Sequence, residues 1–181
     1  MLLTLVEHDK GLLAPTSLEA LAAARELADK LGETVEAVAF GPEAAHTAAE
    51  AGRRGASRLH TAGDAGEYCP EAWGETLRQL IAHLGPSGVV AAAGDRGNEV
   101  MAHAAARAGL PLAVNCLELS ASGDEPWTLT RARVGGLLWE DADLDAEVKM
   151  VTVAAGSFAP READADAPVE TVAFAPSLAE G

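Results

Sequence analysis

Residues 89–110 read VVAAAGDRGNEVMAHAAARAGL, and this stretch decides the fold. A run of small and β-branched apolar residues stops at Gly94, the polar GDRGNE follows, and apolar residues return at helical spacing from Val100. The pattern predicts a strand, a glycine turn and a helix. In α/β proteins such a turn often holds phosphate, because a helix N-terminus presents unpaired N–H groups to an anion. Gly94, Asp95, Arg96, Gly97 and Asn98 are therefore the candidate nucleotide turn. The charges argue the other way. Asp95 and Glu99 flank Arg96, leaving the turn net negative, and carboxylates at a helix start already serve the dipole and the caps. The residues thus favour a structural turn capped by Asn98 or Asp95, with weak or no adenine-nucleotide binding. A lone G-x-x-G is weak evidence for more.

Outward from this stretch, apolar spacing alternates between periods of 2 and 3.6. Leu2 to Val6 reads as a first strand. APTSLEAL then opens a helix with Thr16 as N-cap and Glu19 three residues on, a capping box, and Gly32 ends it. Val35 to Phe40 is a second strand, GPEAAHTAAEAG a second helix with Pro42 in its first turn, and Arg58 to Ala62 a third strand. Pro70 starts a helix with Trp73, Leu77, Leu80 and Leu84 on one face. The helix beyond Gly94 turns Val100, Met101, Ala104, Ala105 and Ala108 inward, with Glu99, His103 and Arg107 outward. Strands alternating with such helices imply an α/β, doubly wound, mainly parallel sheet of Rossmann-like or adenine-nucleotide-hydrolase-like form. After Pro111, AVNCLEL, WTLTRARV, GGLLWEDADL and VKMVTVAA read as successive strands, an antiparallel or mixed extension with a bend at Gly135-Gly136. Residues 161–181 are rich in Ala, Pro and acid and read as an acidic linker or loose tail. One domain over residues 1–160 is the expectation.

Composition bounds the partners. The formal charge of −15 comes from 28 acids against 13 bases, a surface that repels nucleic acid and anionic lipid. The short apolar start lacks a basic leader and is too brief to span a bilayer, so a cytoplasmic protein without membrane insertion is expected. Cys69 and Cys116 are far apart with no CxxC spacing, and read as two unlinked thiols. Glu7-His8-Asp9 sits at the carboxyl end of the first strand on the same sheet edge as Gly94. A polar turn is favoured there over a metal or acid/base group, since no second histidine is near in sequence. His46, His60, His83 and His103 fall on separate elements. No P-loop, G-x-S-x-G or nucleophile with an evident base appears.

Three ordered segments carry a resemblance: LVEHDKGLLAPTSLEALAAARELA, GDRGNEVMAHAAARAGLPLAVNCLELS, and TRARVGGLLWEDADLDAEVKMVTVAAGSF. The last ends in a T-V-x-x-G-x-F pattern formed by Thr152, Val153, Gly156 and Phe158. Over about residues 1–160 the order resembles the N-terminal domain of the electron transfer flavoprotein α subunit. Ala154-Ala155 stands where that family usually has Arg-Pro, which puts a role for that arginine in doubt. The resemblance implies electron transport without catalysis by this chain, a β-type subunit or a second copy of itself as partner, and FAD in the complete complex. The family's flavin lies in a C-terminal domain expected to begin near Gly181, so no FAD is expected on this chain alone, whether stand-alone, split or excised. It also implies that the strands near residues 126–153 lie close to the β-type contact, which makes Trp127, Leu137, Leu138 and Trp139 the candidate interface, the alternative being that the tryptophans pack under the second helix layer or the tail. Two alternatives stay open. One is a stand-alone nucleotide-binding module of stress-protein type, although VGGLLW lacks the hydroxyl of that group's Gly-Ser/Thr segment. The other is a small nucleotide hydrolase using Asp95 or the Glu7-His8-Asp9 turn.

Overall fold

The computed structural model describes residues 1–65, 67–163 and 169–178. Its frame is a mixed sheet in the order β11-β5-β4-β1-β6-β10-β7-β8-β9. The strands are β1 (Leu2–Leu5), β4 (Val35–Phe40), β5 (Ala56–Ala62), β6 (Gly88–Ala92), β7 (Leu112–Ser120), β8 (Trp127–Arg133), β9 (Leu138–Leu144), β10 (Lys149–Val153) and β11 (Glu170–Ala173). Two short strands, β2 (His8–Asp9) and β3 (Leu12–Leu13), form a hairpin beside it. Lys10 and Gly11, both at positive φ, make its two-residue turn, the backbone a tight hairpin needs.

The sheet is doubly wound, as the alternation predicts. From β1 the chain winds outward through α1 (Pro15–Leu31) to β4 and through α2 (Ala48–Arg53) to β5. It then crosses back through α3 (Pro70–Leu84) to β6, on the other side of β1, and α4 (Asp95–Ala108) follows. One apolar layer joins α1 and α2 to the sheet, and a second joins α3 and α4 to the opposite face. Ala20, Ala22, Ala23, Ala24 and Ala28 are buried along α1, so small side chains let that helix lie close to the central strands. The extension after Pro111 is mixed. β7, β8 and β9 pair antiparallel, whereas β10 returns between β6 and β7 and is parallel to both.

Four local expectations are corrected. Helix α1 starts at Pro15 with Ala14 as N-cap and no side-chain cap; Glu19 instead accepts the Gly156 N–H at 2.6 Å. The second helix is a 3₁₀ turn at Ala44–Thr47 followed by α2, with Pro42 ahead of both, because proline's fixed φ suits a turn as well as a first helical turn. Ala108 lies exposed at the end of α4. The fourth concerns the tail. Residues 154–163 run back across the α1 side, where Phe158 is buried and the Ala163 N–H donates to Arg53 O at 2.7 Å. β11 then pairs parallel with β5. Arg58 binds Glu170 at 2.7 Å, and the Ser177 N–H donates to Gln79 at 2.9 Å. Val169 and Phe174, each packed on one of the two apolar layers, anchor a segment whose average composition reads as linker. The remainder of the 161–181 stretch, residues 164–168 and 179–181, lies outside the described residues.

Candidate functional site

The strand order reverses between β1 and β6, and open α/β sheets bind ligands at the carboxyl end of such a switch point. Glu7 follows β1 there, and Gly94–Asn98 follow β6. The structure thus brings together the acidic turn and the glycine turn that the sequence placed on one edge.

Gly94 is the N-cap of α4, in extended backbone, and no side chain caps the helix; the expected Asn98 or Asp95 cap is absent. Asn98 has another role. Its Oδ1 accepts from the Thr152 hydroxyl at 2.8 Å, and that oxygen accepts the Asn115 N–H at 3.1 Å. This chain of bonds ties α4 to the ends of β10 and β7, with Asn115 held at φ 57°. Gly97 is buried so tightly that a β-carbon there would stand 2.1 Å from the carbonyl oxygen of Ala92. Gly97→Ala is therefore expected to destabilise the chain by roughly 1–3 kcal/mol through overpacking, overriding alanine's ~1 kcal/mol better helix propensity. Urea unfolding checks this, and a neutral or stabilising result contradicts the close packing.

The main chain of Glu7 is pinned: its N–H donates to Ser17 Oγ at 2.7 Å and its carbonyl accepts the Ala14 N–H at 2.9 Å. The Oε1 of its half-buried carboxyl group lies against Gly94 and Gly97 at the start of α4, with Arg96 and Asp95 nearby. Burial pushes its pKa above the ordinary carboxylate value; Arg96 and the Gly97 backbone pull it back in part, and Asp95 adds to the rise. With the proton held more firmly folded than unfolded, this group's contribution to stability is full below its unfolded pKa. It is lost as pH rises through the folded one.

His8 is structural. Its Nδ1 accepts the Gly11 N–H at 3.3 Å. The proton therefore sits on Nε2, which donates to Phe40 O at 2.9 Å. Among the described residues, no group of three or more His, Cys, Asp and Glu side chains is arranged to hold a metal ion.

An aromatic row closes the crevice on the α3 side. Phe40 lies against Trp73, Trp73 meets Tyr68 edge-on, and the Arg96 guanidinium sits 4.9 Å from the Tyr68 ring centre. The Tyr68 hydroxyl donates to Glu99, and burial with that carboxylate drives the phenol's pKa upward. Sequence reasoning missed Tyr68, which joins the turn only in three dimensions. Cys69 and Cys116 are both free thiols; burial pushes the Cys116 thiol up to about 12, which makes it inert near neutrality.

The candidate interface divides. Trp127 is 1% exposed and belongs to the core. As the first residue of β8 its side chain points to the α1 face, and its ring fills the space over Gly88, where a β-carbon would fall 2.2 Å from Cη2. It therefore leaves the candidate interface. Leu137, Leu138 and Trp139, at 81%, 59% and 75% exposure, stand with Val134 at the tip of the β8–β9 hairpin. Arg131 and Arg133 bind Glu140 just behind the turn, at 2.6 and 3.1 Å.

The electron transfer flavoprotein domain matches residues 2–177, nearly the whole chain. The chain belongs to the electron transfer flavoprotein family. The match runs beyond residue 160 to include β11, which agrees with that strand's place in the sheet. Curated relatives include Protein FixB of Azorhizobium caulinodans and Protein FixB of Bradyrhizobium diazoefficiens, each 30% identical over 154 residues. The alignment takes in 82% of this chain but 42% of each relative, so this flavoprotein-family chain spans about two fifths of their length. No helix among its described residues is long and apolar enough to cross a membrane.

Proposed function

We propose that this chain is an electron transfer flavoprotein α-type unit that works in electron transport by docking to a β-type subunit and shaping the flavin site of the complex. The observation that carries the docking reading is the β8–β9 tip. Val134, Leu137, Leu138 and Trp139 form an exposed apolar group at the end of an otherwise acidic edge, and such patches mark association surfaces. Val134 adds to this. A β-branched residue at φ 52° is strained by an amount on the order of 1–3 kcal/mol, a cost typical of functional sites.

The switch-point residues do not fit the pyrophosphate of FAD. The Glu7 carboxyl group already lies against Gly94 and Gly97 at the start of α4, so the flavin is proposed to be held outside these residues. Two measurements test the proposal. Light scattering of the chain mixed with the β-type subunit of the same organism is expected to give a one-to-one complex, and gel filtration of the chain alone a colourless peak. Failure to associate at tens of micromolar overturns the docking reading. Flavin absorbance travelling with the lone chain overturns the cofactor reading.

A further inference from the structure

We infer that Glu7 is the chain's own anion at the switch point: its carboxylate takes the position a phosphate would take at the start of α4 and closes the crevice to phosphate-bearing cofactors. The sequence alone attributes the rejection of phosphate to Asp95 and Glu99. The structure moves that role. Asp95 is exposed, and Glu99 is turned to the Tyr68 hydroxyl. Glu7 comes from β1, across the reversal of strand order, and its Oε1 lies against Gly94 and Gly97 in the first turn of α4. The N–H groups of that turn are the ones a helix leaves with no partner inside it.

Three features hold the carboxylate in place. The Glu7 backbone is bonded on both sides to the start of α1, through Ser17 and Ala14. Position 97 has no side chain, and a β-carbon there would stand 3.2 Å from Glu7 Oε1. Arg96 is near enough for its charge to favour the carboxylate, and its guanidinium sits over the Tyr68 ring. An N–H donor, a cation and a glycine are what a phosphate turn offers, and here they serve a side chain. Glu7 acts through occupancy and is a positioning residue without chemistry of its own.

Amide spectra of the full chain, titrated with inorganic phosphate and separately with AMP, test the inference. Wild type is expected to show no saturable shift at Gly97 or Asn98. Glu7→Ala is expected to show one at both amides for phosphate, at least tenfold tighter than any response of wild type. Glu7→Gln, which keeps an oxygen at the same place, is expected to stay silent. Equal binding in all three proteins overturns the inference. So does silence in a folded Glu7→Ala, or phosphate binding gained by Asp95→Asn with Glu7 intact. Should Glu7→Ala fail to fold, the wild type still decides. Its Gly97 amide must shift along the titration of the Glu7 carboxyl, and a Gly97 signal that ignores it overturns the assignment.

Discussion

Trp127→Ala is expected to cost about 3–5 kcal/mol of folding stability, the range for removing a buried large aromatic from a core. At roughly 2–4 °C per kcal/mol for a domain of this size, the melting temperature should fall by about 6–20 °C. The basis is geometric. The ring is 1% exposed, lies over Gly88 and shares its layer with Leu129 and Leu144. The indole fills the space that Gly88 leaves open, so truncation leaves a cavity under the joint between the parallel and antiparallel parts. Urea unfolding monitored by circular dichroism measures the loss. A change below 1 kcal/mol contradicts the burial and would return Trp127 to the candidate interface.

The contrast between Trp127 and Trp139 shows what the sequence could not tell. Both tryptophans lie in adjacent apolar segments, and nothing in the spacing separates them. The separation is made by register. Trp127 pairs with Leu144, over the covered part of the sheet, while Trp139 pairs with Ala132 near the hairpin tip. The main winding was legible because each helix crossover leaves its own periodic mark: Val35–Phe40 and the Pro70 and Gly94 starts stand where the pattern put them. Boundaries set by tertiary contact were not. Thr16 and Glu19 spell a capping box, yet Pro15 already supplies the first helical residue, and Glu19 finds the Gly156 N–H at 2.6 Å.

The tail misled for a related reason. Acid, Ala and Pro dominate its average, but Val169 and Phe174 pack on the apolar layers and residues 170–173 pair along β5. At the site, the sequence placed Glu7 and Gly94 on one edge because both follow strands. It gave no sign that the carboxylate lies against Gly97, or that Tyr68 comes to lie against Arg96. Those contacts depend on how closely α4 approaches β6, and that distance is set by the absence of a side chain at position 97.

The second large effect is expected at the hairpin. Trp139→Ala should leave the isolated chain within about 0.5 kcal/mol of wild type, as exposed substitutions usually do, while weakening capture of the β-type subunit by at least about 2 kcal/mol, near thirtyfold. A tryptophan 75% exposed beside Leu137 and Leu138 is the type of anchor that dominates association once a partner excludes water from it. Its setting limits the choice of partner. Glu140, Asp141 and Asp143 line the same strand, so a second copy docking edge to edge would set these carboxylates near their own images, whereas a partner with basic residues would meet them favourably. Leu137→Ser in the same background should weaken binding further, and Arg133→Ala, on the hairpin's polar rim, should act mainly on association rate and salt dependence. Surface plasmon resonance with the β-type subunit on the chip separates these terms. If Trp139→Ala binds as wild type does, the hairpin is not the docking surface. If the variant instead loses stability alone, the ring has a packing role that its exposure in this fold does not support.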